Sequence, residues 1–62
     1  MSEDKISKFL VLHSNLPLNI RKEIIAVVKN EPISWNVAYL EIKGATEKGK
    51  EILEKLAELK II

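Results

Sequence analysis

The chain has 62 residues, enough for one domain and too few for two, and at this size the apolar surface it can bury only just offsets its conformational entropy. Ten basic and nine acidic residues leave a net charge of +1, so no global field draws the chain to nucleic acid or membrane, and any such contact must be local. The absence of cysteine excludes disulfides and thiolate metal sites, while a hydrophobic fraction of 47 % lies far above the disordered range and requires a core.

The opening "MSEDKISK" is polar and acidic rather than a basic leader, and no apolar run approaches the roughly 18 residues of a membrane span, so a soluble cytoplasmic protein is expected. Ser2 can cap a first helix whose opening turn carries Glu3 and Asp4 against the positive end of the dipole. Ile6, Phe9, Leu10 and His13 recur at one helical face, and Ser14 and Asn15 end the pattern. Pro17 suits the start of a second helix, with Ile20, Ile24, Val27 and Val28 buried and Asn30 closing it before Glu31 and Pro32. Residues 33–43 mix strand formers (Trp35, Val37, Tyr39, Ile42) with helix formers (Ala38, Leu40, Glu41). A lone strand has no ladder to join, so a third helix is expected. Residues 46–60 carry the clearest helical stripe, Ile52, Leu53, Leu56 and Leu59, with a favourable Glu51 to Lys55 pair.

Whether the last two segments are one helix or two turns on Gly44. Ala38, Ile42, Ala45, Gly49, Ile52, Leu56 and Leu59 are spaced as a heptad seam, which would make a long helix and a dimer. Against it, two glycines cost about 1 kcal/mol each in a helix interior. The apolar pattern also changes at Gly44, from all-round to one-sided. A turn is favoured, with Gly44 as the left-handed residue after one helix, Thr46 as the N-cap of the next and Glu47 in its first turn. The expected fold is therefore all-α, a single helical domain over residues 1–62 built from three to four short helices, the last three in a helix-turn-helix-like arrangement.

With that turn, residues 20–62 resemble the tri-helical core of helix-turn-helix and winged-helix proteins: "IRKEIIAVV" for the first helix, "EPIS" leading to the second, "KGAT" as the turn and "ILEKLAELKII" ending the third. A chain ending at Ile62 is expected to lack the wing. The words "TEKGKEIL" also resemble the segment after the wing in winged-helix regulators, which would instead place residues 39–43 in a strand. "LPLNIRKE" is similar to a stretch of a family of small archaeal helical bundles. Abundant Lys, Glu and Ile with no Gln or Cys is a bias of hyperthermophiles, so a thermophilic, archaeal source is expected. The helix-turn-helix resemblance implies nucleic-acid contact by the third helix, with Lys43, Lys48 and Lys50 around the turn and Arg21 and Lys22 adding phosphate contacts. Glu51, Glu54 and Glu58 along the same helix oppose it.

Catalytic equipment is missing. His13 is the only histidine and sits near a helix C-terminus, where a structural role is expected; Ser14 beside it has no third group to complete a triad. Metal ligands are too few. Gly44, Gly49 and Lys50 fit GxxxxGK, yet Glu51 stands where the nucleotide loop needs Ser or Thr. No enzyme activity, cofactor, metal or small-molecule substrate is therefore expected. The reading is a nucleic-acid-associated binding module. Its alternative is a protein-interaction or homodimerisation module using Trp35, Tyr39, Ile52, Leu56 and Leu59, with exposed apolar surface favouring a homodimer.

Overall fold

The computed structural model describes residues 3–62. Helix α1 (Glu3–Ser14) leads through a short 3₁₀ turn (Ile20–Lys22) to strands β1 (Ile24–Val28) and β2 (Glu31–Ser34), followed by helices α2 (Trp35–Lys43) and α3 (Glu47–Glu58). The expectation of an all-α bundle is overturned, because helix accounts for 60 % and strand for 15 % of the structure, and the two strands form an antiparallel sheet. The proposed Ser2 cap lies outside the described residues.

The second helix expected from Pro17 to Asn30 is the element that fails. "IIAVV" has four β-branched residues in five, stiff side chains that fit a pleated surface better than a helix. Its strand partner comes from "EPIS", read as a helix stop and leader. Lys29 and Asn30 between them both have positive φ, 51° and 66°, the mark of a two-residue type I′ hairpin turn whose twist matches the strands. Val28 and Glu31 flank the turn and hydrogen-bond to each other, so the next pair, Val27 and Pro32, is one whose N–H groups point outward. Pro32 therefore costs the ladder nothing. A bulge at Ile25, between the Ile24↔Ser34 and Ala26↔Ile33 pairs, sets Ile25 against the core while Ile24 stays exposed.

Strand β2 runs directly into α2. Ser34 closes the strand and also caps the helix, its hydroxyl accepting from the Val37 N–H at 3.2 Å. The chain then turns within residues 44–46, so the continuous heptad seam is not formed, and residues 39–43 are helical rather than a strand. Gly44 is not the left-handed residue: its φ is −77°, and Ala45 takes the role at +55°. The Ala45 N–H reaches the Ile42 carbonyl at 3.1 Å and the Thr46 N–H that of Glu41 at 3.2 Å, a Schellman ending. As expected, Thr46 then caps α3, accepting from Gly49 N–H at 2.9 Å. Helix α3 ends the same way, with Lys60 at φ 62°, Lys60 N–H on Ala57 and Ile61 N–H on Leu56.

The core is Phe9 from α1, Ala26 and Ile33 from the hairpin, Ala38 and Ile42 from α2, and Ile52, Leu53 and Leu56 from α3. Ile61 and Ile62 fold back against it. Helices α2 and α3 meet closely at Gly49, where an added Cβ would stand 2.2 Å from the Glu41 carbonyl oxygen. Gly49→Ala is expected to force the helices apart and destabilise the protein by about 3 kcal/mol, read from the urea midpoint. Ala45→Gly, which relieves a left-handed alanine, should raise that midpoint by about 0.5–1 kcal/mol.

Candidate functional site

Four rings line up between α1 and α2. Trp35 stacks on Phe9 with centroids 5.9 Å apart, Phe9 on His13 at 6.0 Å, and His13 on Tyr39 at 4.4 Å, with an angle of 15° between the last two planes. The Lys43 ammonium then sits 5.2 Å from the Tyr39 ring centroid and donates to the Tyr39 hydroxyl at 3.0 Å. Phe9 and His13 are one turn apart on α1, as are Trp35, Tyr39 and Lys43 on α2, so the line is the i, i+4 contact edge of two helices.

The polar end of this line opens into a cleft of about 520 Å³ lined by Leu10, His13, Ser14, Arg21, Tyr39 and Lys43. The 3₁₀ turn delivers Arg21, whose guanidinium donates to the Ser14 carbonyl at 3.4 Å, a cation on the negative end of α1. No carboxylate lines the cleft, and neither Arg21 nor Lys43 joins an ion pair among the described residues. His13 is 7 % exposed, and its Nε2 and the Nε of Arg21 are both shielded from water without a hydrogen-bond partner. Burial first, and then the Arg21 charge, push the imidazole pKa below its ordinary value, against a smaller opposing effect from the Asn36 side chain. The Tyr39 hydroxyl holds the Lys43 ammonium above its ordinary pKa.

Of the five basic residues expected to meet nucleic acid, the cleft gathers Arg21 and Lys43. Lys22 is exposed in the same 3₁₀ turn as Arg21 but does not line the cleft. Lys48 pairs with Glu31 of the hairpin, and Lys50 is exposed on α3. Of the five residues expected to meet a protein partner, Ile52 and Leu56 are fully enclosed and serve the core. Trp35 and Tyr39 are half-buried in the ring line, and Leu59 remains 47 % exposed. His13 was not singled out for a site by its sequence position. The only signal was a histidine on an apolar stripe, because the residue that completes its surroundings, Arg21, arrives through a chain reversal that no local pattern encodes.

Elsewhere, Ser7, Lys8, Val11, Leu12, Ile61 and Ile62 line an apolar groove of about 420 Å³. Among the described residues no group of three His, Cys, Asp or Glu could hold a metal ion, and no helix is long and apolar enough to cross a membrane. No protein-family model matches the chain, and no curated protein or solved structure is detectably similar to it.

The direction of the His13 shift fixes a pH dependence. A histidine whose folded pKa lies below its unfolded value binds more protons when unfolded, so its neutral form stabilises the fold above the ordinary histidine range. That contribution is lost as pH falls through the range toward the lowered folded value. The melting temperature is therefore expected to drop between about pH 7 and about pH 5.5, where most carboxylates stay ionised. His13→Gln, which cannot titrate, should flatten the profile over that interval.

Proposed function

We propose that this protein is a non-enzymatic binding module that associates with nucleic acid through phosphate contacts at the His13, Arg21, Tyr39 and Lys43 cleft. The observation that carries the reading is the meeting of two unpaired cations, Arg21 and Lys43, in a cleft without a carboxylate. Helix-turn-helix recognition by α3 is the weaker geometry. Although α2 and α3 are joined by a turn of the right length, Lys48 is engaged by Glu31, and Glu47 and Glu54 of α3, outside the pairs that Lys29 makes with Glu51 and Lys55 with Glu58, would meet approaching phosphates with like charge. The contact is thus to the backbone of the polymer, which positions without reading sequence.

A second reading, a protein-interaction module, is favoured by one observation. The outer side of the hairpin carries Ile24 and Val27, each 55 % exposed, beside exposed Pro32, with no charge between them in the strands' outward register. A salt titration separates the two, because an apolar interface persists where phosphate contacts do not.

Fluorescence anisotropy with a mixed-sequence single strand should show micromolar binding at about 50 mM salt, weakened about sevenfold at about 200 mM, with a log–log slope near −1.4 for two phosphates. Arg21→Ala and Lys43→Ala should each reduce that slope by about 0.7, while Lys48→Ala leaves it unchanged. A slope that responds to Lys48 and Lys50 and not to Arg21 and Lys43 would return the interface to α3. No complex at low salt would remove nucleic acid altogether.

A further inference from the structure

We propose that the cleft between α1, the 3₁₀ turn and α2 is a binding site for a phosphomonoester dianion, held by the Arg21 guanidinium, the Lys43 ammonium, the Tyr39 hydroxyl and the Nε2 of His13. The proposal rests on the assignment of this cleft as the phosphate-contacting surface and adds which phosphate it prefers.

Three features of the geometry lead there. The first is unmet bonding capacity: His13 Nε2 and Arg21 Nε are shielded, polar and unpartnered. A buried polar group without a partner is destabilising, so two such groups on residues lining one cleft point to a ligand that completes them. The second is sign. The groups facing His13 are Arg21 from the 3₁₀ turn, Tyr39 and Lys43 from α2, the Asn36 amide from α2 and the Ser14 hydroxyl of its own helix, and α3 contributes no lining residue. Every charge among them is positive. The third is count. A phosphomonoester carries about −1.5 to −2 charges at neutral pH and three acceptor oxygens. Two fixed cations and a titratable imidazole match that charge, and guanidinium, ammonium, phenol and imidazole together exceed three donors. A phosphodiester has one charge and two free oxygens, which leaves part of the set unused.

Both nitrogens are covered in this conformation, so binding requires the Arg21 side chain to move. Its head group is restrained here by one long hydrogen bond, 3.4 Å to the Ser14 carbonyl, on an exposed stretch of chain. Exchange of that carbonyl for a phosphate oxygen swings the guanidinium inward, and the incoming charge reverses the field that keeps His13 neutral. Binding therefore takes up a proton at Nε2, and affinity rises as the pH is lowered toward the imidazole range, until the phosphate itself becomes a monoanion near pH ~6.

The test follows the His13 ring signals by NMR in the full chain at constant ionic strength, with three probes. These are inorganic phosphate to about 10 mM, a 5′-phosphorylated oligonucleotide and the same strand with a 5′-hydroxyl. A raised His13 pKa with phosphate, weakened about tenfold or more by Arg21→Gln or Lys43→Gln, is the expected result. Arg21→Lys should restore part of the affinity by keeping the charge and losing the fork. A preference of about tenfold for the 5′-phosphorylated strand assigns the ligand to strand ends. Equal binding of the two strands with a His13 response to inorganic phosphate supports the site and assigns it to small phosphomonoesters. Failure of both strands to bind, with that response intact, discards the polymer and keeps the site. Oligonucleotide binding that leaves His13 unmoved by any phosphate overturns this proposal while the backbone-contact reading stands, and silence with all three probes overturns both.

Discussion

Gly49 has no Cβ, and the atom it lacks would lie 2.2 Å from the Glu41 carbonyl oxygen, well inside contact distance. The rest of the structure depends on that close approach. It lets α3 cross α2 backbone to backbone, so that Ala38 and Ile42 of one join Ile52, Leu53 and Leu56 of the other in one buried cluster. Phe9 and the hairpin residues Ala26 and Ile33 then close the core over this pair. Two ion pairs, Lys29 with Glu51 at 2.7 Å and Lys48 with Glu31, also link the hairpin to α3. They are solvent-exposed, where an ion pair adds little, so they favour a register that apolar packing already enforces.

A domain this short leaves no residues for separate connectors, and several positions serve two elements at once. Ser34 ends β2 and caps α2. Thr46 completes the Schellman ending of α2 through its N–H and caps α3 through its hydroxyl, which also approaches the Glu41 carboxylate at 2.6 Å. The left-handed position between them falls on Ala45 rather than on glycine, a backbone cost of about 1 kcal/mol accepted because the hydrogen bonds on both sides fix it. At the other end of α3 Lys60 does the same, and the reversal it makes brings Ile61 and Ile62 back onto the core.

The helical part of this architecture was legible because its signals are local. The stripe of α3, the face of α1, the Thr46 cap and the break before it are all set within a few residues. The hairpin lacks such a local signal: "IIAVV" fits the apolar face of a helix and "EPIS" its stop and the leader to the next. Each alone lacks a ladder, and only together, with Lys29 and Asn30 as a two-residue turn and Pro32 at a position whose N–H is not needed, do "IIAVV" and "EPIS" make sense. Gly44 drew the left-handed role by residue type, whereas hydrogen-bond geometry places that role one residue later. The glycine that matters is Gly49, which reads in the sequence as a weakness in a seam and in the fold as a crossing point. The same distinction governs the site: Tyr39 and Lys43 are helical neighbours, but their meeting with His13 and Arg21 is a tertiary event.

His13 stands where two physical effects oppose each other. At the C-terminal end of α1 the helix dipole and nearby carbonyls favour an imidazolium. Burial and the Arg21 charge favour the neutral ring, and they win. A filler between Phe9 and Tyr39 could be leucine or phenylalanine, which would occupy the space without an unpartnered nitrogen. Both residues line a cleft whose charges are all positive, the setting in which an anion would supply the oxygens that His13 and Arg21 lack.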